Sequence, residues 1–360
     1  MKNLESTCHS FFSIHPFRIS AQMYEVIETV ILPWMNPSPG TYLLLLFLLV
    51  VLGLGLLCKG GDCLSDHSAN IANHLGVPHV VVGLTVVSIA TSAPELFTSI
   101  SALRSNSPGL VLGNIIGSNL ANIGLILGVS LLLKNINPKG AVSLEQRICL
   151  LVVTLFFCSV LYFHPSGEFS FFPGTLLLIF LFLYLTVLTI FALKQRVSPV
   201  AYINDSKQKY PSLSFSFLMI ILATLSLWIG SDLLVLGSKK FALLIGVPEQ
   251  LIGFTLIAVG TSLPELAASI ALLRKDHTSM LLGNLVGSNI FNISLVGGLA
   301  GVLGPVRSCA TQPWIDYFSL ISITIGFIYL LGGKTLQKKQ GYLLLIYYLL
   351  TCVVIWTANA

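Results

Sequence analysis

The sequence predicts an all-α polytopic membrane protein with ten transmembrane helices, arranged as two five-helix repeats of inverted topology. Of its 360 residues, 55% are hydrophobic and only 9% are charged, whereas soluble domains carry about 25% charged residues. Several apolar runs reach the ~20 residues that a helix needs to cross a bilayer. One long stretch also occurs twice, which indicates an internal duplication. This composition excludes an ordinary soluble protein, and the net charge of +5 does not indicate nucleic-acid binding.

The duplicated stretch comprises residues 83–122 and 253–292. The first copy contains ATSAPE and GNIIGSNLAN, and the second contains GTSLPE and GNLVGSNIFN at the same spacing. Every matched residue of the second copy is numbered 170 higher than its counterpart, as Glu95 and Glu265 show. Each copy places a carboxylate beside a helix-breaking proline within apolar sequence, where a charge is costly. Broken helices at corresponding places in two halves indicate the midplane site of a transporter.

Hydropathy and the repeat divide the chain into four segments. Residues 1–41 are an N-terminal extension, for which an interfacial helix and an unstructured arm are both open. Residues 42–193 form the first five-helix repeat, 194–214 a cytoplasmic linker, and 215–358 the second repeat. The predicted spans are about 42–75, 79–103, 108–134, 148–163 and 171–193, then 215–245, 250–273, 278–304, 313–332 and 341–358. An odd number of spans per half inverts the second half, so a twofold pseudo-axis lies in the membrane plane.

The distribution of Lys and Arg predicts the orientation in the membrane. If both termini lie outside the cytoplasm, most of the 19 Lys and Arg residues fall in cytoplasmic loops. We therefore expect a multi-pass protein of the cell membrane with both termini outside. The seven cysteines show no CxxC pair and no metal-ligand spacing, so we expect free thiols.

Polar residues recur at helical spacing within each copy. In the first copy, one helix face carries Ser88, Thr91, Ser92 and Glu95. Pro94 has no N–H, so a carbonyl oxygen one turn earlier lacks its helical donor. Around Pro264, the second copy offers the equivalent set Ala258, Thr261, Ser262 and Glu265. The following helix of each copy carries a further polar stripe, formed by Asn114, Ser118 and Asn122, and by Asn284, Ser288 and Asn292.

These groups form a set of oxygen ligands without thiol or imidazole. Such a set suits hard cations such as Ca²⁺ and Na⁺. Each motif alone can also be explained without ion binding, as a proline kink or as a GxxxG motif for helix packing. Two glutamates at matching places, without a basic partner in their own spans, favour ion binding. Because two ionised glutamates balance either one Ca²⁺ or a few Na⁺, the two ions would compete, and ion exchange is the resulting hypothesis.

At these motifs the sequence resembles the sodium/calcium exchanger family of the cation/calcium antiporter superfamily. The resemblance covers residues 42–358 and rests on ATSAPE, GNIIGSNLAN, GTSLPE and GNLVGSNIFN. It implies a ten-helix fold of inverted halves. The short linker at 194–214 leaves no room for the large cytosolic sensing domains of animal exchangers, so the chain looks like a minimal prokaryotic-type member.

The resemblance also implies a role for each site residue. The central carboxylates for Ca²⁺ would be Glu95 and Glu265, completed by Asn122 and Asn292. Hydroxyl and backbone oxygen atoms would come from Thr91, Ser92, Thr261 and Ser262. The flanking Na⁺ positions would be lined by Ser118 and Ser288, with the carbonyl groups of Ser88 and Ala258.

We therefore expect a secondary active antiporter that exchanges Ca²⁺ for Na⁺ by alternating access at a midplane site. In this family the first and sixth helices, here 42–75 and 215–245, are the expected mobile pair. An antiporter that exchanges H⁺ for Ca²⁺ or another divalent cation is the alternative, and an ion channel is a less favoured one. Asn292 stands where several relatives, including potassium-dependent ones, carry Asp, which argues against K⁺ cotransport. Beyond the lipid bilayer and the transported Ca²⁺, Na⁺ or H⁺, we predict no cofactor, enzymatic activity, nucleic acid or protein partner.

Overall fold

The computed structural model describes residues 39–104, 108–164, 166–194, 211–244, 260–308 and 312–359. Nearly all of the predicted N-terminal extension, most of the predicted linker and the site candidate Ala258 lie outside these ranges. Within them the chain is almost entirely helical. This confirms the helical membrane-protein class that the composition predicts.

The described elements of the first half are α1 (Pro39–Leu75), α2 (His79–Val82), α3 (Ser88–Arg104), α4 (Pro108–Leu120), α5 (Leu127–Leu133), α6 (Leu144–Phe163), β1 (Glu168–Phe169) and α7 (Phe171–Lys194). The long helix α1 continues without interruption to Leu75, as predicted. Helix α6 begins at Leu144 rather than near residue 148. Ser143 and Gln146 form a capping box there, which satisfies the first backbone N–H groups and extends the helix beyond its apolar run.

The described elements of the second half are α8 (Leu213–Leu244), α9 (Leu263–Arg274), α10 (Thr278–Phe291), α11 (Gly298–Leu303), β2 (Val306–Arg307), α12 (Pro313–Leu331) and α13 (Lys338–Asn359). Across both halves of the described chain, nine helical segments are long and apolar enough to cross a membrane. Nine of the ten predicted spans correspond to them. The remaining one, predicted at 250–273, is described only from Gly260 onward.

Three π-helical turns interrupt the α-helices of the described residues. They lie at Gly83–Val87, Ala121–Ile126 and Asn292–Gly297. The last two stand at corresponding places in the two repeats and contain the site candidates Asn122 and Asn292. Such turns are rare and occur frequently at functional sites. Because they change the backbone path without changing the apolar pattern, hydropathy does not predict them.

The long helices α1 and α8 pack side by side over much of their length. Glycines allow this close approach, since a Cβ atom on Gly53 would lie 2.7 Å from the carbonyl oxygen of Gly230. Ser226 of α8 also donates a hydrogen bond to the carbonyl oxygen of Leu56 in α1, at 3.0 Å. The two helices that the family resemblance marks as mobile are thus joined tightly to each other.

Each half also completes the packing of the other half. Helix α7 from the first half packs on α11 from the second, and α13 from the second packs on α5 from the first. Glycines again form the contacts, with Gly174 against Gly298 and Gly341 against Gly128. The described helices therefore form a single shared core rather than two independent cores.

Short backbone pairings between the halves lie beyond the helix ends. Strand β1 pairs with β2 in antiparallel register, with Phe169 opposite Val306. Ile136 forms an isolated antiparallel bridge with Leu336. Ile136 and Val306 are matched positions, since their numbers differ by 170. The two halves thus make corresponding contacts with each other.

Apolar side chains cover the outside of the bundle, and polar side chains occupy part of its interior. Phe182, Phe318 and Tyr329 are largely exposed, which suits contact with lipid tails. Helix α10, in contrast, is buried along most of its length together with Asn284 and Ser288. Buried polar groups of this kind are costly in a membrane protein and mark functional positions.

Candidate cation site

Two carboxyl groups meet in the interior of the bundle. Glu95 of α3 is 1% exposed, and Glu265 of α9 is fully buried at 0%. The two carboxyl groups lie close enough to interact directly. Ser92, which precedes Glu95 by about one turn, donates its hydroxyl to Glu265 Oε1 at 3.4 Å. Matched acidic residues from the two halves therefore share one buried position.

Most of these carboxylate oxygen atoms have no hydrogen-bond donor within the described part of the chain. Among the described residues, none donates to either oxygen of Glu95 or to Glu265 Oε2. The ion pairs found in this part of the chain all lie elsewhere, so neither glutamate has a Lys, Arg or His partner there. An unpaired carboxylate in a protein interior is strongly unfavourable. A bound cation, or a proton on one carboxyl group, would remove most of that cost.

The backbone of the second copy is broken at the site. A turn separates Gly260 from α9, which begins at Leu263 with Pro264 in its first turn. Ser262, at the start of α9, has φ −91° and ψ 4°, which lies outside the α-helical region. In the first copy, Pro94 instead lies inside the continuous helix α3. The backbone conformation before the proline therefore differs between the two copies, although both copies contain the proline.

The carbonyl oxygen of Gly260 is one that Pro264 leaves without a helical N–H donor. Ser231 of α8 supplies a donor, with its Oγ 2.5 Å from the Gly260 oxygen. The repeat offers no signal for this contact, because the residue matched to Ser231 is Gly61. Sequence reasoning therefore missed Ser231, and only the packing of α8 identifies it.

Hydroxyl groups from both halves surround the side chain of Asn284. Ser88 Oγ lies 3.3 Å from Asn284 Oδ1, and the hydroxyl groups of Thr91 and Ser288 each lie 3.4 Å from the same atom. Ser88 also bonds to the carbonyl oxygen of Asn284 at 3.1 Å. Thr91 and Ser288 are in turn 3.4 Å apart. Asn284, which the polar stripe contains but the predicted ligand set omits, thus organises these three hydroxyl groups.

The first copy places its own amide beside Glu95. Asn114 Nδ2 donates to the backbone carbonyl of Glu95 at 3.1 Å and to Ser99 Oγ at 3.0 Å. Ser118 donates to the Asn114 carbonyl at 2.6 Å, and Asn292 Nδ2 donates to Ser118 Oγ at 3.0 Å. This chain of bonds links α3, α4 and the second-half π turn, and it leaves the amide oxygen of Asn292 without a described donor.

The predicted site residues fall into three groups. Hydrogen bonds or direct contact connect Ser88, Thr91, Ser92, Glu95, Ser118, Glu265, Ser288 and Asn292 through the contacts given above. The remaining described candidates are also buried, namely Thr261, Ser262 and Asn122. Within the described part of the chain, the hydroxyl of Ser262 and both amide atoms of Asn122 have no hydrogen-bond partner. Asn122 lies in a π turn that packs against α9 and α10. Ala258 lies outside the described residues.

Glycines let α10 approach the first half closely. Gly283 and Gly287 are buried, and a Cβ atom on Gly287 would lie 2.7 Å from the carbonyl oxygen of Leu84. A Cβ atom on Gly283 would lie 2.5 Å from the carbonyl oxygen of Val80. The segment of the second half that matches these contacts of the first half lies outside the described residues.

Comparison with known proteins identifies the family. The model of the family "Sodium/calcium exchanger protein" matches residues 45–190 and again residues 215–357. The chain belongs to this family. Sodium/calcium exchanger MaX1 of Methanosarcina acetivorans is 32% identical over 348 residues, which cover 86% of this chain and 98% of that protein. Inner membrane protein YrbG of Escherichia coli is 31% identical over 303 residues, which cover 83% of this chain and 92% of that protein.

Solved structures of a family member have the same fold. The sodium-calcium exchanger NCX_Mj, soaked with 10 mM Na⁺ and 10 mM Sr²⁺, matches with a TM-score of 0.72 and 31% identity. The match covers 86% of this chain and 98% of that one. The same protein soaked with 2.5 mM Na⁺ and 0.1 mM Ca²⁺ matches with a TM-score of 0.70. The family resemblance found in the sequence is thereby confirmed, and this family is one of transporters rather than enzymes.

Proposed function

We propose that this member of the sodium/calcium exchanger family exchanges Ca²⁺ for Na⁺ by alternating access at the buried site between Glu95 and Glu265. One observation carries the proposal: two adjoining buried carboxyl groups, one from each half, lack a cationic side chain among the described residues. Oxygen atoms of hydroxyl and amide groups surround them. Hard cations prefer such ligands, and Ca²⁺ in particular takes about six to eight oxygens.

The ligands are assigned as follows. Glu95 and Glu265 bind Ca²⁺ centrally, and the amide oxygens of Asn122 and Asn292, which have no donor among the described residues, are assigned to the same centre. Hydroxyl and backbone oxygens come from Thr91, Ser92, Thr261 and Ser262. The flanking Na⁺ positions are lined by Ser118 and Ser288, together with the carbonyl groups of Ser88 and Ala258.

Charge balance makes the two loads mutually exclusive. Two carboxylates neutralise one Ca²⁺, and adding Na⁺ to that load would leave an uncompensated positive charge in the membrane interior, which is costly. A transporter whose site holds one load at a time, and opens to each side in turn, therefore exchanges the two ions. The similarity to MaX1, whose name is sodium/calcium exchanger, supports Na⁺ as the counter-ion.

We further propose that ten spans form two halves of inverted topology, with both termini outside the cytoplasm of the cell membrane. The matched backbone contacts of Ile136 and Val306 support the pseudo-symmetry. The reciprocal packing of α7 on α11 and α13 on α5 supports it as well. Membrane-impermeant labelling of single cysteines at Lys139 and at Lys334 in intact cells tests the orientation. Both positions are cytoplasmic in this topology, so labelling from outside would contradict it.

The direct test is ⁴⁵Ca²⁺ uptake into proteoliposomes that contain the purified protein. Vesicles loaded with Na⁺ and diluted into Na⁺-free buffer are compared with choline-loaded vesicles and with vesicles given a pH jump. Uptake that depends on the outward Na⁺ gradient is expected. Uptake in choline-loaded vesicles without any counter-ion gradient would indicate a channel and would contradict the proposal.

Charge-removing variants connect this activity to the site. Glu95→Gln and Glu265→Gln remove a carboxylate at nearly constant shape, so each is expected to reduce uptake to background while the protein stays folded. Glu145→Gln on α6 is the matched control, because Glu145 is exposed at the start of that helix. Normal transport by either site variant would refute the assignment of the site.

An H⁺/Ca²⁺ antiporter is the second candidate. The unpartnered oxygens of Glu95 and Glu265 favour it, because either carboxyl group can carry a proton in place of a cation. In that case the pH jump alone would drive uptake into choline-loaded vesicles, and Na⁺ loading without a pH gradient would not. The same pair of experiments therefore separates the two counter-ions.

A further inference from the structure

The contact between Ser231 and Gly260 joins a long outer helix to the broken backbone of the site. Ser231 is 5% exposed, and its hydroxyl lies 2.5 Å from the Gly260 carbonyl oxygen. Pro264 cannot donate to this carbonyl, so the helix itself leaves the oxygen without a partner. In a membrane interior such an oxygen needs another donor. Ser231 is therefore the donor that the described structure provides.

The bond lies directly beside the proposed ligands. Gly260 immediately precedes Thr261 and Ser262, and these two residues form the turn before α9. The carbonyl oxygen of Ser262 accepts a helical hydrogen bond from Leu266 at 3.0 Å, but that of Gly260 has no helical donor because Pro264 occupies the donor position. The position of the turn must therefore be fixed by contacts from outside, and Ser231 makes one of them.

The same bond attaches the site to the α1–α8 pair. Helices α1 and α8 are held together by the close approach of Gly53 and Gly230 and by the bond from Ser226 to Leu56. Ser226 and Ser231 lie on one helix, but they donate in different directions. Ser226 donates to α1, whereas Ser231 donates to the backbone of the site. This difference makes Ser226 a matched control for Ser231.

This contact belongs to one half only. The residue matched to Ser231 is Gly61, which has no hydroxyl, and the carbonyl matched to that of Gly260 belongs to Ala90. Gly61 packs instead against the backbone of Ala267, since a Cβ atom there would lie 2.7 Å from the Ala267 oxygen. The repeat therefore does not preserve the bond, and the first half lacks an equivalent serine.

We propose that Ser231 is a positioning residue, which holds the Thr261–Ser262 turn in the conformation that binds the transported cation. The proposal rests on the antiport function proposed above. Without the hydroxyl of Ser231, the turn samples other conformations, and part of the binding energy is spent on ordering it. Affinity for the cation should then fall, while the carboxylates that carry the charge remain in place.

The experiment measures initial rates of Na⁺-driven ⁴⁵Ca²⁺ uptake over a range of Ca²⁺ concentrations. Ser231→Ala is expected to raise the KM for Ca²⁺ about three- to tenfold with little change in kcat, the range for loss of one buried hydrogen bond. Ser231→Thr keeps the hydroxyl and should restore a KM close to that of the unaltered protein. Ser226→Ala removes a bond of the same kind that points away from the site, so its KM should not change.

Each outcome decides the proposal. An unchanged KM in Ser231→Ala, or an equal rise in Ser226→Ala, would overturn it, because the hydroxyl would then act only in helix packing. If Ser231→Ala does not fold, Ser231→Cys replaces it. The thiol is a weaker donor, so an intermediate KM supports the proposal and an unchanged KM refutes it. Absence of Na⁺-driven uptake in the unaltered protein would instead refute the antiport function, so the two failures are distinguishable.

Discussion

Gly287 offers a sharp test of the packing around the site, because a side chain at this position would meet the backbone of the other half. Gly287 of α10 faces the first π turn and the start of α3. A Cβ atom at this position would lie 2.7 Å from the carbonyl oxygen and 2.9 Å from the Cα atom of Leu84, and in contact with the hydroxyl of Ser88. Gly326 of α12 is exposed, and no described atom lies within 4 Å of its Cβ position, so it serves as the control.

The expected cost of Gly287→Ala follows from these distances. Two contacts with backbone atoms of Leu84 are below 3.0 Å, so the helices must separate, which costs about 1–3 kcal/mol for an overpacked core. Ser88 must also turn away, and it loses bonds to Gly83 at 2.8 Å and to Asn284 at 3.1 Å. One such lost bond adds about 1 kcal/mol. The total is about 2–4 kcal/mol, whereas Gly326→Ala should gain ~0.5–1 kcal/mol from the lower entropy of the unfolded chain.

Thermal unfolding of the two variants in detergent measures this difference. Gly287→Ala is expected to lower the apparent unfolding temperature by roughly 3–5 °C, and Gly326→Ala to leave it unchanged or slightly higher. Because Ser88 is displaced, Gly287→Ala should also lower Na⁺-driven Ca²⁺ uptake. Equal losses of stability in both variants would show that the cost does not come from the contacts of Gly287 with Leu84 and Ser88, and the reasoning would be wrong.

Three further predictions concern the site and the turn that follows α9. Asn292→Asp adds a carboxylate beside Ser118 and should change the preference among cations without abolishing transport; selectivity identical to the unaltered protein would remove Asn292 from the site. Lys275→Met removes the ion pair with Asp66 at 2.8 Å and the hydrogen bond to the carbonyl oxygen of Asp62 at 2.8 Å. The two contacts together are worth up to ~2 kcal/mol, so the apparent unfolding temperature should fall by about 1–3 °C in low salt and by less in 1 M salt, which screens the ion pair. An equal loss in both salts would exclude an electrostatic role. Burial lowers the pKa of His277 below its usual 6.5, so the unfolded chain binds its proton more readily and stability should fall as the pH drops through and below that value. His277→Gln should flatten this dependence in unfolding scans between pH 7.5 and 5, and an unchanged slope would contradict the assignment.

The sequence predicts the class of fold well because its signals are long. A constant offset of 170 residues identifies the duplication, and runs of apolar residues identify nine described spans. The end of α1 at Leu75 is likewise predicted from sequence. The start of α6 is not, because Ser143 caps the helix outside the apolar run.

The geometry of the candidate site is predicted less completely. The offset pairs Glu95 with Glu265, but it cannot indicate that Asn284 gathers three hydroxyl groups or that Ser231 reaches Gly260. These contacts depend on how helices from different parts of the chain pack. Similar sequences also adopt different backbones, since Pro94 lies within a helix and Pro264 follows a break. A repeat in sequence cannot show which of its two copies is distorted.

The reciprocal packing of the two halves has a consequence for biosynthesis. The surface of the first half around Gly124 and Gly128 is covered by Tyr348, Leu345 and other parts of α13, the last described helix to leave the ribosome. Until that helix is inserted, this surface of the nascent first half is exposed to lipid. The polar groups near it also lack their hydrogen-bond partners from the second half at that stage. Membrane insertion of the early spans and final assembly must therefore be separate events in time, and the nascent chain depends on its late segment to reach a stable state.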